Sequence, residues 1–206
     1  MRGLVGKKIG MSRIFDDSGS AVPVTVLRLG PCAVVQIKST EKDGYNAVQV
    51  GYGDVKERKV NKPKIGHFNK HSFSKPYKKL LEFPIVPGFK YKSGQVFNVA
   101  IFEQGDLVNV SGITKGRGFS GVIKRHNFAR QKKTHGTGHT ERSPGSIGQA
   151  SDPSRVFPGM KMAGQYGNAK KTVQNLRIVK VSKSDNIIMV KGSVPGHKNG
   201  TIVVYK

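Results

Sequence analysis

Cysteine occurs once, at Cys32, so no internal disulfide can form and nothing points to an oxidising compartment. Long hydrophobic runs are missing: none approaches the roughly 18 residues that would suggest a membrane-spanning helix. The opening M-R-G-L-V-G-K-K-I-G lacks the apolar stretch of a signal peptide, and a soluble cytoplasmic protein is expected. Tryptophan is absent and aromatics make up only 8% of the chain, against 26 glycines, a balance that favours strands, turns and loops over a helical bundle. Heptads and collagen-like periodicity are missing too. The scarcest commodity is negative charge, with 12 acidic residues among 206.

What is present is basic. Against those acids stand 36 Lys and Arg, a formal net charge of +24. Such a charge repels itself in a compact protein and is normally offset by a polyanion. Nucleic acid is the first candidate, because Lys and Arg that neutralise phosphates release condensed counterions. An anionic membrane surface is the second. The length allows one domain or two small ones with a real core.

Both ends of the chain read as β. Ser20–Arg28 is β-branched and follows a turn signal at Asp16-Asp17-Ser18-Gly19, and Cys32–Lys38 is a second strand entered from Gly30-Pro31. Lys42-Asp43-Gly44 turns into Tyr45–Tyr52. Near the C-terminus Val173–Ser182, Ile187–Lys191 and Thr201–Tyr205 repeat the pattern, and Leu107–Thr114 is a further strand. Short strands at this spacing predict a closed or nearly closed barrel. Two stretches fall outside the pattern. Val55–Lys92 is Lys-rich and broken by Pro63, Pro76, Pro84 and Pro87. A short helix is predicted around Lys62–Lys70, and His67, Phe68, His71, Phe73 and Tyr77 are expected to form a small core of its own. Ala129–Lys170 holds only four large aliphatic or aromatic residues in 42 (Ile147, Val156, Phe157 and Tyr166), and its seven Lys and Arg face only Glu141 and Asp152. So few apolar side chains cannot offset the backbone entropy of ordering it. A structureless loop this long is either disordered or functional, and the favoured reading is a basic arm that folds against RNA.

The remaining motifs carry little catalytic chemistry. K-G-R-G-F-S-G, Lys115–Gly121, has the glycine spacing of a dinucleotide-binding loop and follows a strand. That loop belongs to a βαβ unit, and no alternating helices follow here. Its glycines would serve RNA phosphates as well as a pyrophosphate. His135 and His139 are spaced like zinc ligands but no cysteine pair accompanies them. Asp16-Asp17 reads as a turn, Met160 and Met162 as gap-fillers, and no nucleophile–His–carboxylate signature is found. A barrel enzyme binding flavin and a nucleoid or membrane-surface protein are the rival classes.

Phe102, Asn109, Gly112, Thr114, Gly116, Arg117, Gly118, Gly121 and Arg125 fall at the spacing of a signature segment. With Gly3–Phe15, Ser143–Gln149, Lys161–Gln165 and Val190–Gly200, they make the chain resemble the large-subunit ribosomal protein L-three family, bacterial type, over essentially its whole length. The resemblance implies a six-stranded barrel of the type shared with translation factors, an inserted small subdomain and a long basic extended arm. It implies a structural protein, not an enzyme, that binds large-subunit (23S-type) ribosomal RNA near its 3′ end early in assembly. Its arm would thread toward the peptidyl transferase centre; about 20 residues each way reach at most roughly 70 Å. Partners would be that RNA and neighbouring ribosomal proteins, in the cytoplasm, with no membrane, cofactor, metal or small-molecule substrate. Some relatives carry a methylated glutamine two residues beyond the position of Gln149; Ser151 stands there, so no methylglutamine is expected.

The segments expected are barrel at 1–54, insert at 55–92, barrel and signature loop at 93–128, arm at 129–170 and barrel at 171–206. Candidate RNA contacts are Lys7 and Lys8 near the start, then Lys115, Gly116, Arg117, Gly118, Lys124, Arg125 and His126 at the arm's root. Along the arm they are Arg130, Lys132, Lys133, His135, His139, Arg142, Arg155 and Lys161, with Lys170 and Lys171 where it returns. Gln149, Ala150, Ser151 and Asp152 are the candidate tip beside the peptidyl transferase centre.

Overall fold

The computed structural model describes residues 3–16 and 18–206. Six strands close an antiparallel barrel: β1 (Gly3–Phe15), β12 (Thr201–Tyr205), β7 (Leu107–Ile113), β10 (Lys170–Ser182), β11 (Ile187–Lys191) and β2 (Ala21–Leu29), in that order around the ring. Period-two patterning builds its interior. Ile202 and Val204 of β12 and Ile188 and Val190 of β11 are buried while their neighbours face outward or lie at intermediate depth, and β7 buries Val108 and Val110 and, beyond them, Ser111 and Gly112. Register sets Leu4 beside Val204 and Val204 beside Val110, so one buried row crosses three strands. Each such side chain contributes roughly 1.5–3 kcal/mol of transfer free energy. Thr25, the one buried polar residue of β2, donates its hydroxyl to the Gly192 carbonyl at 2.6 Å. Gly6 is required where β1 meets β2, because a Cβ there would collide with the Arg28 carbonyl.

A second sheet runs β5 (Tyr77–Pro84), β4 (Ala47–Asp54), β3 (Cys32–Lys38), β6 (Val96–Phe97). Its Val34, Val48, Val50, Phe83 and Phe97 join the barrel side chains in one apolar cluster. Here the structure corrects the sequence reading: β3 and β4, expected among the barrel strands, belong to this second sheet, while β1 supplies a barrel strand. The chain leaves the barrel at Gly30, whose φ is +64° and whose N–H donates to the Val5 carbonyl at 2.9 Å. Local patterning marks a strand; its neighbours depend on distant segments. Helix α1 (Thr40–Asp43) spans the β3–β4 link, and α2 (Lys62–Lys70) covers the predicted range. Phe68 of α2 is buried edge-on to Tyr77, and Phe73 meets the same ring, so these aromatics do pack together. Asp16 holds its turn by accepting the Ser20 N–H at 2.8 Å; Asp17 lies outside the described residues.

On the second sheet Lys38 pairs with Glu82 at 2.9 Å, and Tyr45 and Gln49 donate to the same carboxylate at 2.7 and 3.1 Å. Lys38 first, then Tyr45, holds the Glu82 carboxyl below the ordinary glutamate range. A depressed acid stabilises the fold above its unfolded pKa, roughly 4.3, and that contribution fades as pH falls through the lowered value. Glu82→Gln should therefore melt earlier than the parent at about pH 6 and lose less on acidification to about pH 3. Melting curves that stay parallel across this range would show that the network does not titrate with folding.

The chain divides into two compact units, one holding residues up to Ile113 together with Lys170–Lys206, the other Thr114–Ala169. Ile113 and Lys170 are register partners in β7 and β10, so the second unit leaves and re-enters the chain at adjacent strands.

Candidate nucleic-acid interface

The 114–169 unit is closed at its base by backbone hydrogen bonds rather than by a core. Thr114 N–H donates to the Ala169 carbonyl at 3.0 Å, Arg117 N–H to Tyr166 at 2.8 Å and Tyr166 N–H to Gly118 at 2.9 Å. β8 (Phe119–Ser120) then pairs with β9 (Gly164–Gln165). Gly167 makes the approach possible: its φ is +71°, and a Cβ there would collide with the Lys115 carbonyl. Helix α3 (Val122–His126) follows, ended by Asn127 in the left-handed region at φ 58°. Arg125 Nη1 donates to the Met162 carbonyl at 2.7 Å and His126 Nε2 lies 3.1 Å from the same oxygen. Both side chains, expected to face RNA, thus also hold the returning segment.

Ser120 and Val122 are the buried residues of this unit, and from Ile123 to Ala169 none is buried. Order there is local. A 3-10 turn spans Gly138–Arg142, Arg130 pairs with Glu141 at 3.6 Å, and Gln131 N–H donates to the Glu141 carbonyl at 3.3 Å. Ser146 Oγ donates to the Gly148 carbonyl at 2.9 Å, and Ser154 Oγ donates to that of Ser151. The Arg155 guanidinium lies 5.5 Å from the Phe157 ring centre. The root is thus more organised than the sequence predicts, and the low burial expected from so few apolar residues is found beyond it.

Charge is one-sided. Ten Lys and Arg in the unit face Glu141 and Asp152. Lys115, Gly116, Arg117, Gly118 and Lys124 are exposed, as are Lys132, Lys133, His135, His139, Arg142, Arg155 and Lys161, and Gln149–Asp152. The candidates outside the unit divide. Lys7, Lys170 and Lys171 are exposed on strands, whereas Lys8 is half-buried, donating its ammonium to the Val194 and Gly196 carbonyls at 2.8 and 3.3 Å. Lys8 therefore ties β1 to the segment before β12.

Sequence reasoning passed over one residue. Phe119 is 79% exposed, directly after K-G-R-G, in the same loop as Arg117, whose guanidinium lies 5.8 Å from the Tyr166 ring centre. An aromatic this exposed among bases is what a stacking contact with an unpaired nucleotide requires. The signal was the aromatic inside a glycine-basic run.

A closed antiparallel barrel joined in sequence to a basic unit without an apolar core presents exposed ammonium and guanidinium groups of the kind that can neutralise phosphates. The profile of the family described as Ribosomal protein L3 matches residues 90–187. A protein of Chromobacterium violaceum named Large ribosomal subunit protein uL3 is 53% identical over 98% of this chain and 95% of its own length. One of the same name from Chlorobaculum tepidum is 49% identical over 99% of this chain and 98% of its own, and uL3c of Phaeodactylum tricornutum is 48% identical over 94% and 93%. The chain belongs to the uL3 family of large-subunit ribosomal proteins, a structural rather than an enzymatic family.

Proposed function

We propose that this chain, a structural constituent of the large ribosomal subunit by family, binds large-subunit ribosomal RNA near its 3′ end and helps to nucleate assembly. In this reading residues 129–170 are an arm that reaches toward the peptidyl transferase centre. The observation that carries it is the 114–169 unit, with ten bases, two acids and no buried residue after Val122. Such a segment lacks the apolar burial to hold one form by itself and gains it by threading into a polyanion. Lys115, Arg117 and Lys124 would neutralise phosphates at the root, Arg130, Lys132, Lys133, Arg142, Arg155 and Lys161 along the length. Gly116 and Gly118 would let backbone approach the RNA, and His135 and His139 would stack on or hydrogen-bond to nucleotides. Specificity would come from RNA tertiary shape more than from base edges. Its site of action would be the ribosome, in the cytoplasm of a bacterium.

Sedimentation of the native protein from a cell extract tests the assignment. It should travel with large subunits through a sucrose gradient, and at low magnesium follow the large rather than the small subunit. Recovery at the top of the gradient, or with small subunits, would overturn it.

A further inference from the structure

We infer that a lysine-lined cleft in the barrel unit is a second seat for RNA backbone, independent of the 114–169 unit; this rests on the reading of the chain as a ribosomal RNA binder. The cleft measures about 800 Å³ and is bordered by β1, the end of β4, the start of β5, the turn Glu57–Lys59, the N-terminus of α2 and the approach to β12. Six lysines line it: Lys7, Lys56, Lys59, Lys64, Lys78 and Lys79. All six are exposed, and among the described residues none makes an ion pair. Among the described residues Asp54 is the only acid in the lining.

The fold brings Lys7 of β1 to the five lysines between Lys56 and Lys79, and gathers them at a cost in mutual repulsion that an anion would remove. Helix α2 adds to the field. Its first turn holds no acid, it begins with Lys62-Pro63-Lys64, and the Asn61 side chain makes no capping hydrogen bond. Helices favour acids at this end, where the dipole is positive; here the positive end and the lysines sit together, with Asn61 and Lys64 both in the cleft lining. The size and composition select the occupant. A cleft of this volume with six ammonium groups exceeds what one phosphate needs, and it has no arginine fork for bidentate recognition. Lysines are point charges that hold phosphodiesters without reading bases, so the cleft fits a run of RNA backbone and positions the barrel on it.

The test compares three forms of the full chain binding transcribed large-subunit ribosomal RNA across a salt series: the parent, a cleft variant (Lys56, Lys59, Lys64, Lys78 and Lys79 to Gln) and a root variant (Lys115, Arg117 and Lys124 to Gln). Each lost phosphate contact lowers the slope of log affinity against log salt by roughly 0.7–0.9. The cleft variant should therefore lose about 2 or more in slope, additively with the root variant, while the free protein melts no lower than the parent because repulsion has been removed. An unchanged slope in the cleft variant alone overturns the cleft as an RNA seat and leaves the function standing; unchanged slopes in both variants overturn both. Poly-glutamate serves as a second probe. If its binding falls in the cleft variant while the RNA slope holds, the cleft is a seat for an acidic protein segment and the inference is wrong. Should the fivefold variant fail to fold, Lys56→Gln and Lys79→Gln singly decide it, each expected to lose roughly 0.7–0.9 in slope.

Discussion

Replacing Lys115, Arg117 and Lys124 with Gln should lower the salt dependence of ribosomal RNA binding by about 2–3 in slope, at roughly 0.7–0.9 per phosphate contact, and impair subunit assembly. The three are exposed at the root of the 114–169 unit and have no acid partner within salt-bridge reach among the described residues. Removing them therefore leaves no buried charge unpaired. Arg125 is better left in place, because its guanidinium holds the Met162 carbonyl and its loss would disturb the returning segment. Phe119→Ala separates charge from stacking. If the ring stacks on a base, its loss should weaken binding by on the order of 1–3 kcal/mol at unchanged slope. The measurement is affinity by filter retention across a salt series, with sucrose-gradient analysis of subunits from cells carrying each variant. A triple variant with the parent's slope would place these bases in solvent in the complex, and the root would then have no part in binding.

The sequence disclosed its strands well and their partners poorly. Cys32–Lys38, Ile187–Lys191 and Thr201–Tyr205 are found at the ranges that β-branched content and alternation mark, and α2 runs over the Lys62–Lys70 range expected for a short helix. Those signals are local. Barrel membership is not: β3 and β4 look like barrel strands but pair with β5 and β6, and only the exit at Gly30 and register across distant residues decide it. The candidate interface divides in the same way. Composition exposes the coreless basic unit, because burial needs apolar residues and the unit has few. It cannot show that Lys8 and Arg125 spend hydrogen bonds on carbonyls of their own chain, since those carbonyls come from residues 186 and 37 positions away. Nor can it show six lysines meeting in one cleft, since Lys7 lies well before the other five, Lys56 to Lys79, and only the fold brings β1 beside them.

Deleting Gln149–Ser151, or substituting Ala150 with Asp, should leave the melting temperature of the barrel unchanged and alter peptide-bond formation in assembled ribosomes. The four residues Gln149–Asp152 are exposed, and none of them is a large apolar side chain. Stability gives no reason for their presence. Local bonds do shape them: Ser154 donates to the Ser151 carbonyl and Ser146 to that of Gly148, so the deletion removes a bonded turn, whereas Ala150→Asp keeps the turn and adds bulk and charge. If the segment supports RNA beside the catalytic centre, either change should shift that RNA slightly. In a reaction driven by positioning, a displacement of about 1 Å can cost on the order of 100-fold in rate. Sensitivity to drugs bound at that centre should move as well. The turn at Asp185-Asn186 is unsuitable as a control, because the Asn186 carbonyl accepts the Leu29 N–H at 2.9 Å and Asp185 accepts from Ser182 at 2.8 Å. Ala100→Asp, at the exposed position of a 3-10 turn of the other unit, introduces the same chemistry and should be silent. Peptidyl transfer and drug response are to be measured on purified large subunits of normal composition. Tip variants that assemble normally and match the parent in both would mean that Gln149–Asp152 lie away from the centre, and that residues 129–170 act as an assembly strut alone.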